Sequence, residues 1–173
     1  MAGKGSKAGA GRRTIPAHVL VIEARYYEDV SDELAAGAVA ELEARGATFD
    51  RVVVPGALEI PQVLTLACAA GQFSGSSLLV KPAPRYAGVV ALGCVIRGET
   101  SHYDIVCNNA NHWLMQVAVG NAIPLGNAIL TVDTEAQALE RARGGRKGKG
   151  ADAVRACLAL IALERVFADE DLE

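Results

Sequence analysis

Short apolar runs and longer amphipathic stretches alternate along this chain. His18 to Glu23 (HVLVIE) is rich in β-branched residues and predicts a first strand. Ala24-Arg25-Tyr26-Tyr27 ends it; Ser31-Asp32-Glu33 then opens an amphipathic helix running to about Ala44 and closed by Gly46. Arg51 to Val54 predicts a second strand, cut by Pro55-Gly56, and Ala57 to Pro61 leads into an apolar helix from Gln62 to Ala70. Gly71 to Tyr86 has no period around its apolar island Leu78-Leu79-Val80 and predicts a surface excursion. Val89 to Val95 predicts the third strand. Asp104 to Val119 is a helix with Ile105, Val106, Ala110, Trp113 and Val117 at helical spacing, which puts Trp113 in the core or at a subunit interface. Ala128 to Val132 is the fourth strand, followed by Thr134 as the cap of a helix from Glu135 to Arg143. Gly144 to Gly150 (GGRKGKG) breaks that helix, and Ala151 to Phe167 predicts a last one.

Four strands alternating with helices call for a parallel sheet covered on both faces. The expected class is α/β, a flavodoxin-like three-layer sandwich around a four-stranded parallel sheet. One domain over residues 17–167 accounts for the pattern, between a flexible basic tail (residues 1–16) and an acidic tail (residues 168–173).

Composition narrows the function. Hydrophobic residues are 51% and charged residues 21%, which excludes a disordered chain. No apolar run reaches the roughly 18 residues of a membrane span, and the first residues hold no signal-peptide core, so the expectation is a cytoplasmic protein with no membrane role. A net charge of -3 gives no case for nucleic acid. Cys68, Cys94, Cys107 and Cys157 are widely spaced among apolar neighbours, which suggests buried thiols outside any disulfide. With His18, His102 and His112 scattered as well, no metal site is expected.

Candidate chemistry concentrates in Gly93 to Asp104 (GCVIRGETSHYD), a loop from strand to helix that carries Arg97, Glu99, Thr100, Ser101 and His102. Such loops lie at the carboxyl ends of parallel strands, where ligands bind. Thr100, Ser101 or Asp104 can serve simply as a helix cap; equally, Gly98 and the amides before the helix can seat an anion, with His102 as a titratable neighbour. Glu59 sits beside a helix start, either as a first-turn acid favoured by the helix dipole or as a ligand contact. Arg141, Arg143, Arg146, Lys147 and Lys149 place five cations in nine residues, without the spacing of a P-loop; they form a solvated basic loop or a phosphate site.

Taken in order, PGALEIP (Pro55 to Pro61), GCVIRGETSHYDIVCN (Gly93 to Asn108), LTVDTEAQALERA (Leu130 to Ala142) and KGKG (Lys147 to Gly150) resemble the 6,7-dimethyl-8-ribityllumazine synthases of riboflavin biosynthesis. The resemblance implies a cofactor-free condensation of 5-amino-6-ribitylaminouracil with 3,4-dihydroxy-2-butanone 4-phosphate, releasing phosphate and water. It also implies a homopentamer or a pentamer-based shell with sites between subunits. For the aminouracil it implies Tyr26 as the stacking ring, Ala57, Leu58 and Glu59 along the ribityl chain, the Cys94, Val95 and Ile96 backbone at the uracil edge, and Asn127 and Lys149 as further walls. Glu99, Thr100 and Arg141 fall to the butanone phosphate, Arg141 from a neighbouring subunit, and His102 to proton transfer. Tyr26, Leu58 and Asn127 each depart from the aromatic residue usual at their positions. A riboflavin synthase of the archaeal kind, a non-catalytic lumazine-binding shell and an FMN-binding module are the alternatives. The last lacks a phosphate loop in its first turn, ARYYED.

Overall fold

A computed structural model describes residues 14–73 and 83–168. Strands β1 (His18–Ala24), β2 (Thr48–Val54), β3 (Gly88–Ile96) and β4 (Leu125–Val132) form one parallel sheet in the order β2-β1-β3-β4. Helices α1 (Glu28–Ala44), α2 (Glu59–Ala69), α3 (His102–Gly120), α4 (Glu135–Ala142) and α5 (Lys149–Ala168) cover it, with a 3-10 turn at Gly145–Lys147. Side-chain alternation sorts the strands onto two cores. Val19, Val21, Val90, Leu92 and Leu130 face α1, α4 and α5, while Leu20, Ile22, Val89, Ala91 and Ile129 face α2 and α3. The expected three-layer α/β sandwich is therefore the observed one. At its N-terminal end the packed chain begins just before residue 17: the Ile15 amide donates to the Arg45 carbonyl at 3.0 Å, and Arg165 donates to the Pro16 carbonyl at 2.6 Å. The tails themselves fall largely outside the described residues.

Boundaries move for identifiable reasons. Helix α1 starts three residues before Ser31, because that buried hydroxyl donates back to the carbonyls of Tyr27 (2.8 Å) and Ala24 (3.1 Å) instead of capping. Tyr27 takes the N-cap position in an extended conformation, and Glu28 and Asp29 complement the helix dipole. Helix α2 starts at Glu59 and not Gln62, since Pro61 is tolerated in a first turn that needs no amide. Strands β2 and β4 are the sheet edges and each begins three residues earlier than expected, so polar Thr48, Asp50 and Asn127 can point outward. The excursion after α2 is pinned at both ends by a bridge between buried Phe73 and Tyr86; its island Leu78-Leu79-Val80 lies outside the described residues. Trp113 is 55% exposed and is not a core residue; Ala110, Leu114 and Ala118 form the buried stripe of α3. Thr134 caps α4 as expected, its hydroxyl accepting from the Gln137 amide. Cys68, Cys94 and Cys157 are buried, but Cys107 is only half-buried, and none of the four is in a disulfide.

Two buried carboxylates are absent from the hydrophobic pattern. Glu23 on β1 is fully buried and accepts from Arg25 and Arg51 at 2.5 Å each. Glu41 on α1 is also fully buried; it accepts from Arg45 (2.9 Å) and Arg146 (2.7 Å) and pairs with Arg155 at 3.2 Å. Burial pushes the Glu41 carboxyl up, yet the hydrogen bonds from Arg146 and Arg45 and the charges of Arg146 and Arg155 outweigh that and hold it below its usual range. This arrangement divides the basic cluster: Arg146 docks the 3-10 turn on α1, while Arg141, Arg143, Lys147 and Lys149 stay exposed. Gly150 completes the docking, for a Cβ there would lie 2.0 Å from the Leu34 carbonyl oxygen.

Candidate active site

The strand order reverses between β1 and β3, because the chain moves outward to β2 and then crosses back over β1. In open parallel sheets ligands bind at that switch, beyond the carboxyl ends of the strands. A cavity of about 280 Å³ lies there, lined by Tyr26 and Tyr27 after β1, Gly56 to Glu59 after β2, Cys94 to Ile96 ending β3, and Gly98, Thr100, His102, Tyr103 and Val106 at the start of α3.

Each wall offers something different. Tyr26 is 72% exposed, a ring open to stacking. Glu59 opens α2, and its carboxylate folds toward Gly56, where a Cβ would stand 3.1 Å from Oε2. The β1–β3 ladder stops at Glu23 and Leu92, so β3 runs on past its neighbour. The amides of Val89 and Arg97 bond toward β4, which by alternation turns the Cys94 and Ile96 amides to the side where β1 is ending. Burial, with a smaller contribution from Cys107, pushes the Cys94 thiol up to about 11, so this wall presents backbone and a neutral thiol.

The loop into α3 is tied down. The Thr100 hydroxyl accepts from the His102 amide at 3.4 Å, whereas the Ser101 side chain makes no cap bond. Gly98 has no left-handed backbone and an added Cβ would meet nothing within 4 Å, so the expected need for glycine does not come from the loop's own fold. Arg97 does not line the cavity; it donates to Asp133 (3.0 Å), pairs with Asp104 (3.5 Å) and covers the Tyr103 ring at 4.0 Å. Burial raises the Tyr103 hydroxyl above its ordinary acidity range. Tyr27 and Tyr103 are cavity residues that the sequence reading passed over, although each adjoins a selected residue at an element's end. Among the described residues, no group of three or more His, Cys, Asp or Glu side chains is placed to hold a metal ion.

A family model described as 6,7-dimethyl-8-ribityllumazine synthase matches residues 16–165. The chain belongs to this family. It is 51% identical over 158 residues to the 6,7-dimethyl-8-ribityllumazine synthase of Azorhizobium caulinodans, covering 91% of this chain and 93% of that one. It is 52% identical over 149 residues to that of Methylocella silvestris, covering 86% of each, and 48% identical over 152 residues to that of Nitrobacter hamburgensis, covering 88% of each.

Against the contacts that lumazine synthases led us to expect, one chain gathers Tyr26, Ala57, Leu58, Glu59, Cys94, Val95, Ile96, Thr100 and His102 around a single cavity. Four others stand apart from it within the chain. Glu99 is exposed in the loop itself, between lining residues Gly98 and Thr100 but outside the lining. Asn127 on β4 donates to Asn111 Oδ1 and accepts from the Ile129 amide, both at 2.8 Å. Arg141 is exposed on α4, its guanidinium donating to the Gln137 carbonyl at 3.0 Å, and Lys149 pairs with Asp152 at 2.8 Å on α5.

Proposed function

We propose that this cavity joins 5-amino-6-ribitylaminouracil to 3,4-dihydroxy-2-butanone 4-phosphate, forming 6,7-dimethyl-8-ribityllumazine with release of phosphate and water. The observation that carries the reading is the convergence of three separate chain segments on one cavity at the sheet's switch point, in a chain of this family.

The roles follow from the chemistry of each wall. Tyr26 stacks on the pyrimidine, the Cys94 to Ile96 backbone meets its polar edge, and Ala57, Leu58 and Glu59 run along the ribityl chain, with Glu59 accepting hydroxyl hydrogen bonds. Thr100 and Glu99 border the butanone phosphate, and His102, opening α3, carries protons as the amine adds to the ketone, phosphate leaves and the ring closes. Alignment of two reactants contributes roughly 7 to 11 kcal/mol, against about 10²- to 10⁴-fold for proton transfer, so positioning outweighs His102.

Arg141, Lys149 and Asn127 act in the cavity of a neighbouring copy, where a planar guanidinium suits phosphate better than a point charge. A homopentamer satisfies this sharing. Ile105, Trp113, Met115 and Val119 on α3 and Leu160, Leu163, Val166 and Phe167 on α5 leave broad apolar faces exposed on one chain, which supports contact between copies. The reading takes the enzyme as cytoplasmic, a compartment suited to cysteines outside disulfides. Among the described residues, no helix is long and apolar enough to cross a membrane.

Incubating the purified protein with both substrates and following lumazine absorbance tests the function. Formation of lumazine with matching phosphate release is expected. Absence of lumazine from the correctly assembled protein refutes the reading, and conversion of lumazine alone into riboflavin would favour the riboflavin synthase alternative.

A further inference from the structure

We propose that Tyr27 is a positioning residue that holds the Tyr26 ring as a standing platform for the pyrimidine. The proposal deepens the functional reading and rests on Tyr26 being the stacking ring. An exposed aromatic side chain on a bend between a strand and a helix has rotamers to lose when a ligand lands on it. Tyr26 is such a residue, 72% exposed between the end of β1 and the start of α1. Its ring meets that of Tyr27 in a T-shaped contact, with centroids 4.9 Å apart and planes at 69°. That is the geometry aromatic quadrupoles prefer, and it selects one orientation of the outer ring.

Such a contact orients Tyr26 only if Tyr27 is itself fixed, and it is held at two points. Its carbonyl accepts from both the amide (2.9 Å) and the hydroxyl (2.8 Å) of buried Ser31. Its ring is half-buried and packs on the core beneath α1. On the other side of Tyr26, the Arg25 amide donates to the Val54 carbonyl at 3.0 Å, while its guanidinium is shared among Glu23, Glu28 and Asp32. Both neighbours of Tyr26 are anchored, and Tyr27 supplies the lateral restraint on the ring. A preformed platform gives the ligand a surface whose ordering entropy is already spent.

The test is a double-mutant cycle read by fluorescence titration with 6,7-dimethyl-8-ribityllumazine and by steady-state kinetics. Tyr27→Leu is expected to weaken lumazine binding by roughly 3- to 10-fold, the range of one aromatic pair. The KM for the aminouracil should rise in step, with the KM for the butanone phosphate unchanged. Tyr27→Phe, which keeps the ring contact, should stay within about twofold of the parent. In a Tyr26→Leu background, Tyr27→Leu should add less than about twofold, because the ring it orients is gone. Additive losses in the double variant, or Tyr27→Leu binding as the parent does while Tyr26→Leu is weakened, would overturn the proposal. If Tyr26→Leu alone leaves lumazine binding unchanged, the stacking assignment fails and this proposal fails with it. Melting curves establish that each variant folds; should Tyr27→Leu not fold, Tyr27→Met carries the same cycle.

Discussion

Glu41→Gln isolates one buried charge while keeping the shape of the side chain. In the parent, this carboxylate faces Arg45, Arg146 and Arg155 and joins α1 to the 3-10 turn and to α5. Removing one partner of a buried pair costs about 3 to 5 kcal/mol. Here the arginine side chains keep 25%, 37% and 35% of their surface exposed and can turn toward water, and the amide oxygen still accepts. An expected loss of about 2 to 3 kcal/mol follows. At about 2 to 4 °C per kcal/mol for a chain of this size, the midpoint should fall by about 4 to 12 °C. The pH dependence carries the sign. The folded carboxyl is held below its ordinary 4.5, so its contribution is fully present above that value and is lost as pH falls through the folded pKa. Urea unfolding of parent and variant at fixed protein concentration, from pH 7 down to pH 3, is the assay. The gap should be constant near neutrality and should begin to close only below about pH 4.5. Equal stability at pH 7, or a gap that does not narrow on acidification, would refute the idea that an ionised Glu41 organises this corner.

Other consequences can be checked directly. His102→Ala should slow turnover by up to about 10²- to 10⁴-fold while leaving measurable lumazine formation, because alignment survives; a fully assembled variant with no detectable product would reverse that ranking. Gly150→Ala should disrupt the seating of α5 on α1, since its Cβ would meet the Leu34 carbonyl oxygen at 2.0 Å, and a loss of about 1 to 3 kcal/mol or more should appear in urea unfolding. Cys94, pushed up to about 11, should resist iodoacetamide at pH 7.5 in a mass-spectrometric time course, and Cys94→Ser should retain activity.

The layered fold could be read from the chain because strands and helices here differ sharply in period, and local chemistry such as the Thr134 cap needs only neighbours within one turn. Ser31 shows where this stops. Its type signals a cap, but its hydroxyl turns inward to Ala24 and Tyr27, a choice set by how α1 meets β1. Glu23 and Glu41 were invisible for a related reason: a charged residue reads as solvent-facing, and their burial depends on distant Arg51, Arg146 and Arg155 as well as on nearby Arg25 and Arg45. The same pairing divided a basic run that the sequence offered as a single feature. The family resemblance pointed to nine of the cavity's residues, while Tyr27 and Tyr103 came to light only from their place in its lining. The separation of Arg141 and Lys149 from their own chain's cavity is a property of three-dimensional placement that spacing along α4 and α5 does not encode.

The central claim is that one copy's cavity is completed by another copy's arginine. Mixing denatured His102→Ala and Arg141→Ala subunits, renaturing them together and assaying lumazine formation tests this most directly. Co-assembled protein should recover activity well above that of either variant refolded alone, because some seams then pair an intact His102 with an intact Arg141. Co-assembly demonstrated by mass, with activity no greater than the average of the two variants, would contradict the account.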